Sequence, residues 1–212
     1  MSFLSNLLGS NENKQVKFLD HIAHRRTIYS LGKNVTAKPQ ELDELIRKAV
    51  RLSPSAFNSQ SSRIVNLFGQ NHQDFWNIVK ETLRQIIPAE NFQATNDKID
   101  SFAAGFATVL FFEDQNVVQG LQEQFAAYAD NFPVWSEHST AIAQFAVWTA
   151  LSEQSLGASL QHYNPIIDEQ VAQKFNIPAN WKLRAQLVLG SVEAPAGEKE
   201  FIADETRFKT FY

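Results

Sequence analysis

Apolar positions along this chain alternate between helical and extended periods. Behind Pro39, a proline placed where the first turn of a helix accepts one, Leu42, Leu45, Ile46, Ala49 and Val50 recur at helical spacing, and Ser53-Pro54 stops the run. Arg63 to Phe68 reads as a strand with a near-continuous apolar run, and Gly69 and Asn71 mark a turn. Helix returns from His72 to Gln85, with Phe75, Ile78, Val79 and Leu83 inward. Pro88 breaks it, and Asn91 to Phe102 gives a further helix. Ala107 to Phe112 is an apolar, β-rich strand ending at Glu113-Asp114, a pair that reads as a solvated turn. Asn116 to Ala129 is helical, interrupted only by Gly120. Pro133 opens a helical stretch that runs to about Gly157, which reads as its cap. Within that stretch Ala141 to Leu151 is apolar nearly all round. It therefore needs burial on most faces, in a central position or in a large dimer interface. Ala158 to Gln161 is a short strand, Ile166 to Phe175 a helix, and Trp181 to Leu189 a strand that Gly190 ends. At the two ends, Asn13 to Ala23 forms the first long helix and Arg207 to Tyr212 alternates like an edge strand.

Strands separated by helices point to an α/β or α+β sandwich. Chain order alone suggests a parallel, doubly wound sheet, but the Gly-x-Gly-x-x-Gly run that a dinucleotide-binding sheet carries after its first strand is missing. A length of 212 residues with 44% hydrophobic positions suffices for one domain over residues 1–212 and a substantial core. The net charge of -4 argues against a nucleic-acid partner, because phosphate backbones need a basic face. The absence of cysteine excludes disulfides, thiolate catalysis and cysteine–zinc sites, and none of the five histidines stands in a His-x-x-x-His pattern, so no metal is expected. Met1 to Ser10 lacks the basic region of a secretory signal. The longest apolar stretch is interrupted by Gln144 and Thr149 and is too short to span a bilayer. A cytoplasmic protein without a membrane partner is expected.

Two clusters carry candidate chemistry. Ser53-Pro54-Ser55-Ala56-Phe57-Asn58-Ser59-Gln60 joins a helix to a strand, where a rigid scaffold positions binding groups. Its small residues let a flat ligand approach the backbone, and Asn58 and Gln60 offer amides to a polar-edged ring. Arg25-Arg26-Thr27 has the make-up of a phosphate clamp, since guanidinium matches phosphate oxygens. A Ser-His-Asp arrangement, a Gly-x-Ser-x-Gly elbow and a carboxylate dyad are all missing. That scarcity of catalytic side chains fits an enzyme whose cofactor carries the chemistry.

In this order, Arg25-Arg26-Thr27 and Pro54-Ser55-Ala56-Phe57-Asn58-Ser59-Gln60 resemble the motifs of the FMN-dependent nitroreductase family. Together with Gln161-His162-Tyr163-Asn164-Pro165 they look most like its compact subgroup, typified by fungal fatty-acid-regulation nitroreductases and similar bacterial proteins. The resemblance implies an α+β sandwich: a mixed, mostly antiparallel central sheet wrapped by helices, in an intertwined homodimer with FMN at the subunit interface. It places Arg25, Arg26 and Thr27 at the phosphate, and Pro54, Ser55, Ala56, Phe57, Asn58 and Gln60 along the isoalloxazine or ribityl chain. Gln161, His162, Tyr163 and Asn164 fall near the ring and its N5 atom, although Tyr163-Asn164 stands where many members have Glu-Gly. His162 also reads simply as a hydrogen-bonded loop histidine. Lys199 matches the basic residue expected after the last core strand. Its usual companion is replaced by Phe201, for which Arg207 or Lys209 could compensate.

The implied chemistry is ping-pong. NADH or NADPH delivers hydride to flavin N5, and a small aromatic acceptor, a nitroarene or quinone, then takes two electrons. No protein side chain is assigned as catalytic. Phe125, Tyr128 and Trp135 are the candidates for the aromatic substrate pocket, each also readable as core. A flavin-binding sensor or storage protein without turnover is the alternative.

Overall fold

The computed structural model describes residues 18–212. Of the expected first helix, Asn13 to Lys17 lie outside the described residues, and the remainder is α1, Phe18–His24. There follow β1 (Leu31–Gly32), α2 (Pro39–Leu52), a 3-10 turn (Ala56–Asn58), β2 (Ser62–Phe68), α3 (Gln70–Arg84) and α4 (Phe92–Ala103). Next come β3 (Ala107–Asp114), α5 (Gln115–Gln124), a 3-10 segment (Ala126–Asn131), α6 (Phe132–Glu153) and β4 (Gly157–Gln161). The chain closes with α7 (Asp168–Phe175), β5 (Trp181–Val192) and a single helical turn, α8 (Asp204–Arg207).

The sheet is antiparallel, in the order β1-β5-β3-β2 with β4 also on β5, and the parallel arrangement suggested by chain order does not form. Between β2 and β3 the chain runs through two packed helices, α3 and α4, so β3 comes back in the opposite direction, and between β4 and β5 the one short helix α7 does not return the chain for a parallel strand. A lone parallel bridge, Thr27 to Ala158, ties the segment after α1 to β4.

Both faces of the sheet are covered, which is why β3 reads as a continuous apolar run. On one face Leu110 and Phe112 meet Phe75, Trp76, Val79, Ile99 and Phe102 of α3 and α4. On the other, Val109 and Phe111 meet Leu42 and Ile46 of α2 with Val147 and Leu151 of α6. One bulge interrupts the β3–β5 register: Phe111 faces Ala185 and Phe112 faces Leu183. Arg184, left over, turns to Glu137 of α6 at 2.7 Å.

Four local expectations change. The helix after β3 does not run to Ala129: it ends at Gln124, and Phe125 takes a non-helical conformation before the 3-10 segment. Gly157 starts β4 instead of capping α6, and Ser155 supplies the left-handed residue after that helix. Gly190 lies inside β5, which continues to Val192, because a glycine there lets β1 pass close by: any Cβ would overlap the Gly32 carbonyl. Glu113 and Asp114 are buried and not a solvated turn, since Ser62 and Arg63 of β2 close over them. The apolar stretch of α6 has one face in the core (Ala143, Val147, Leu151), while Ile142 remains 42% exposed and Phe145 and Trp148 half-buried. Arg207 to Tyr212 forms no strand within the chain.

Candidate functional site

Arg25 and Arg26 emerge just past α1 and are drawn toward the sheet because Ile28 N–H donates to Ala158 O at 3.0 Å. On the opposite side, β5 runs out into Ala194 to Lys199, which returns over them, and Arg26 Nη2 donates to Gly197 O at 2.6 Å. Arg25, Arg26, Thr27, Trp148 and Lys199 thus line one open cavity of about 690 Å³. Among the described residues, none of its three cations forms an ion pair with a carboxylate. The Arg25 Nε and Trp148 Nε1 atoms are buried without hydrogen-bond partners. Burial, with the Arg26 charge beside it, holds the Arg25 guanidinium below its usual pKa. An unneutralised cation with orphaned donors around a cavity is a site that an anion completes. Arg207 is not among the lining residues; its guanidinium packs 5.5 Å from the Phe208 ring.

The loop after α2 lines a second cavity, of about 340 Å³, with Pro54, Ser55 and Gln60 on one wall and Ser139 and Ala143 of α6 on another. It is pinned at both ends. Ala56 N–H donates to Ser139 Oγ at 3.3 Å, Ser55 Oγ accepts from Gln60 N–H at 3.0 Å, and Arg63 Nη1 donates to Gln60 O at 2.6 Å. Arg63 is itself held by Asp114 at 2.9 Å. Between the pins the backbone is unusual: Phe57, Asn58 and Gln60 have φ of 56°, 49° and 48° without a glycine among them. Asparagine adopts this region readily, but at Phe57 and Gln60 it costs on the order of 1–2 kcal/mol each, a conformation that persists only where the surroundings enforce it.

The Phe57 ring provides part of that enforcement. It is half exposed yet lies 5.0 Å from Phe125, 5.2 Å from Phe132 and 5.8 Å from Trp135, centre to centre, with Tyr128 at 6.2 Å. The three aromatic candidates for a substrate pocket are therefore gathered, and Phe57, expected only along the cofactor, gathers them.

Gln161 to Asn164 leave β4 beside the same sheet. Gln186, fully buried in β5, fixes this turn: its Oε1 accepts from Tyr163 N–H at 2.7 Å and its Nε2 donates to Asn164 Oδ1 at 3.0 Å. The Tyr163 ring turns into the core against Trp76, and burial pushes its hydroxyl pKa up. His162 is exposed, and Gln161 Nε2 donates to Ser159 Oγ at 2.6 Å.

Within the chain the two cavities share no lining residue. Ala143 and Trp148, five residues apart on α6, point about 140° away from each other. The cation cavity and the amide loop therefore lie on different sides of this helix.

The nitroreductase family model matches residues 22–191, most of the chain. The chain belongs to the nitroreductase family. The nitroreductase FRM2 of Saccharomyces cerevisiae is 34% identical over 190 residues, covering 87% of this chain and 93% of that protein. Nitroreductase CinD from Lactococcus lactis in complex with chloramphenicol is 52% identical, with a TM-score of 0.86, over 92% of this chain and all of CinD. The CinD complex with 4-nitrophenol matches at 52% identity and a TM-score of 0.85 over the same shares. This nitroreductase thus has the α+β fold of its relatives and is a nitroreductase-like oxidoreductase. No helix among its described residues is long and apolar enough to cross a membrane.

Three residues of this candidate site lie outside the sequence motifs that point to it. Trp148 hides in the apolar run of α6, Ser139 reads as an ordinary helix serine, and Gln186 could have been singled out as the one polar residue in Gln186-Leu187-Val188-Leu189.

Proposed function

We propose that this chain is an FMN-dependent NAD(P)H oxidoreductase that reduces nitroaromatics or quinones by two-electron, ping-pong transfer. The observation that carries the reading is the convergence of Arg25, Arg26 and Lys199 on one cavity whose one lining carboxylate, Glu198, forms an ion pair with none of them, together with the unpartnered Arg25 Nε and Trp148 Nε1 of two lining residues. That donor set fits the phosphate of FMN. The Pro54 to Gln60 loop fits the polar edge of its ring, and the turn Gln161 to Asn164, fixed by Gln186, is assigned to the ring beside it.

A single protomer holds these parts on different sides of α6, so one FMN can touch both only across a two-fold pairing. The half-exposed apolar face of α6, Ile142, Phe145 and Trp148, offers the surface for such a homodimer. Bound FMN supplies the hydride chemistry. The chain's own residues bind its phosphate, orient its ring and shape an aromatic pocket from Phe125, Tyr128 and Trp135. The CinD complex with 4-nitrophenol supports a small nitroarene as the acceptor class. We read residues 1–212 as one cytoplasmic domain, with Arg207 and the tail reaching the partner subunit.

The test is an absorbance spectrum of the purified protein followed by anaerobic NADH and NADPH. A yellow protein that bleaches supports the enzyme, and one that stays oxidised identifies a flavin sensor instead. The double variant Arg25→Ala, Arg26→Ala should lose FMN while remaining folded by circular dichroism; full occupancy in that variant would refute the clamp.

A further inference from the structure

Phe57 belongs to the loop by its backbone and to the aromatic cluster by its ring. The loop's hydrogen bonds secure Ala56, Gln60 and their neighbours. The Asn58 side chain is exposed and has no hydrogen-bond partner among the described residues. At the tip, Asn58 N–H donates to Ser55 O and Ser59 N–H to Ala56 O, both at 3.0 Å, and the side chain that anchors this left-handed turn is the Phe57 ring, inserted among Phe125, Phe132 and Trp135. Those rings come from the place where α5 stops at Phe125 and α6 begins at Phe132, with Tyr128 exposed between them.

We infer that Phe57 is a positioning residue that couples the two halves of the site: its ring, caged by the aromatic cluster, sets the loop shape that presents Asn58 and Gln60 to FMN. This inference rests on the flavin reading above. Its direct consequence is linkage. An aromatic acceptor that enters the cluster and tightens it around Phe57 also tightens the loop on the cofactor, and by reciprocity FMN raises the affinity for that acceptor. The loop contains no glycine that could adopt positive φ unaided, so the cage takes the role a glycine would otherwise fill.

The test is FMN titration, followed by quenching of FMN fluorescence, for wild type, Phe57→Ala, Phe57→Gly and Phe57→Tyr, each first shown to melt near the wild-type temperature. Phe57→Ala keeps the strained backbone and deletes the ring, and should bind FMN about tenfold more weakly. Phe57→Tyr keeps the ring and should stay within about twofold of wild type. Phe57→Gly deletes still more side chain but accepts positive φ, and should recover several-fold of the affinity lost in Phe57→Ala. A purely structural role would make glycine the worst of the three. Phe57→Ala binding like wild type, or Phe57→Gly binding no better than Phe57→Ala, overturns the positioning role. Wild type that takes up no FMN instead overturns the cofactor reading, and this inference with it. Saturating 4-nitrophenol should strengthen FMN binding in wild type but not in Phe57→Ala, and equal effects in both overturn the coupling.

Discussion

The Arg25 guanidinium carbon sits 4.5 Å from the centre of the Trp148 ring, and neither Arg25 Nε nor Trp148 Nε1 has a hydrogen-bond partner. The ring is thus both a platform for the cation and a second donor beside it. Trp148→Phe separates the two roles, because phenylalanine keeps a π face and lacks the N–H. If the indole N–H meets the cofactor phosphate, FMN affinity falls about tenfold in this variant while riboflavin, which has no phosphate, binds as before. Comparing both dissociation constants by fluorescence titration decides it. An unchanged FMN-to-riboflavin ratio would leave Trp148 as a platform alone.

Away from the site, His72 is 1% exposed and sits in a hydrogen-bond chain whose direction follows from its ends. Trp76 Nε1 can only donate, and it donates to Thr108 Oγ1 at 2.9 Å. Thr108 in turn donates to His72 Nδ1 at 2.8 Å, leaving His72 Nε2 to donate to Ala103 O at 3.2 Å. This arrangement specifies a neutral imidazole, and burial, with a smaller push from Lys33, lowers its pKa to about 4. Above the unfolded-state value, roughly 6.5, both states are neutral; as the pH falls below it, the unfolded chain takes up a proton that the folded chain refuses. Stability should therefore fall as the pH drops from about 6.5 towards 4, by about 3 kcal/mol in all from this group. Urea unfolding at pH 7 and pH 5 measures it. Thr108→Val, isosteric but unable to bridge, should cost about 2–4 kcal/mol at pH 7 by stranding the indole N–H and the imidazole nitrogen.

How much of this could be read in advance depended on range. The arginine pair, the amide loop, the continuous β3 and the long apolar α6 were legible because each is a local pattern. Strand direction was not legible in the periodicity, because it turns on where the helices between two strands return the chain; the family resemblance supplied it. Glu113-Asp114 looked like a turn because charged residues at a strand end usually are solvated. Their burial comes from Ser62, Arg63 and Asn180, distant in sequence. The direction of the Phe57 ring was hidden for the same reason: the left-handed φ of Phe57 is enforced by contacts to the segment 125–135.

Gly190 and Gly32 bring β5 and β1 together where the chain leaves the sheet toward Lys199. A Cβ at position 190 would overlap the Gly32 carbonyl oxygen, a backbone atom that no rotamer change can move aside. Gly190→Ala should therefore destabilise the protein by roughly 2–4 kcal/mol. Because the displaced strand also carries Ala194 to Lys199 over Arg26, FMN retention should weaken alongside. Thermal melts with and without FMN measure both effects, and a variant that melts like wild type shows that β1 can move away without loss.

Glu113 is fully buried at the end of β3, and Ser62 Oγ donates to its Oε1 at 2.6 Å. Its Oε2 has no acceptor or donor partner, and the hydroxyl of Ser61, also buried, has none either. Burial is the largest influence on this carboxyl and pushes its pKa up; the Ser62 hydroxyl and the charge of Arg63 only partly oppose it. A protonated Oε2 would donate to Ser61 Oγ and satisfy both orphans at once. The folded state thus keeps a proton that the unfolded chain releases once the pH passes the ordinary carboxylate range, so this group loses stability for the fold as the pH rises. Glutamine has the shape of the protonated acid, still accepts from Ser62 through its oxygen and donates through its amide. Glu113→Gln should therefore match wild type near pH 4, where both side chains are neutral, and exceed it at pH 8. Urea midpoints at the two pH values test this. A variant less stable than wild type at pH 8 would mean that the carboxylate is ionised in the fold and held by Arg63.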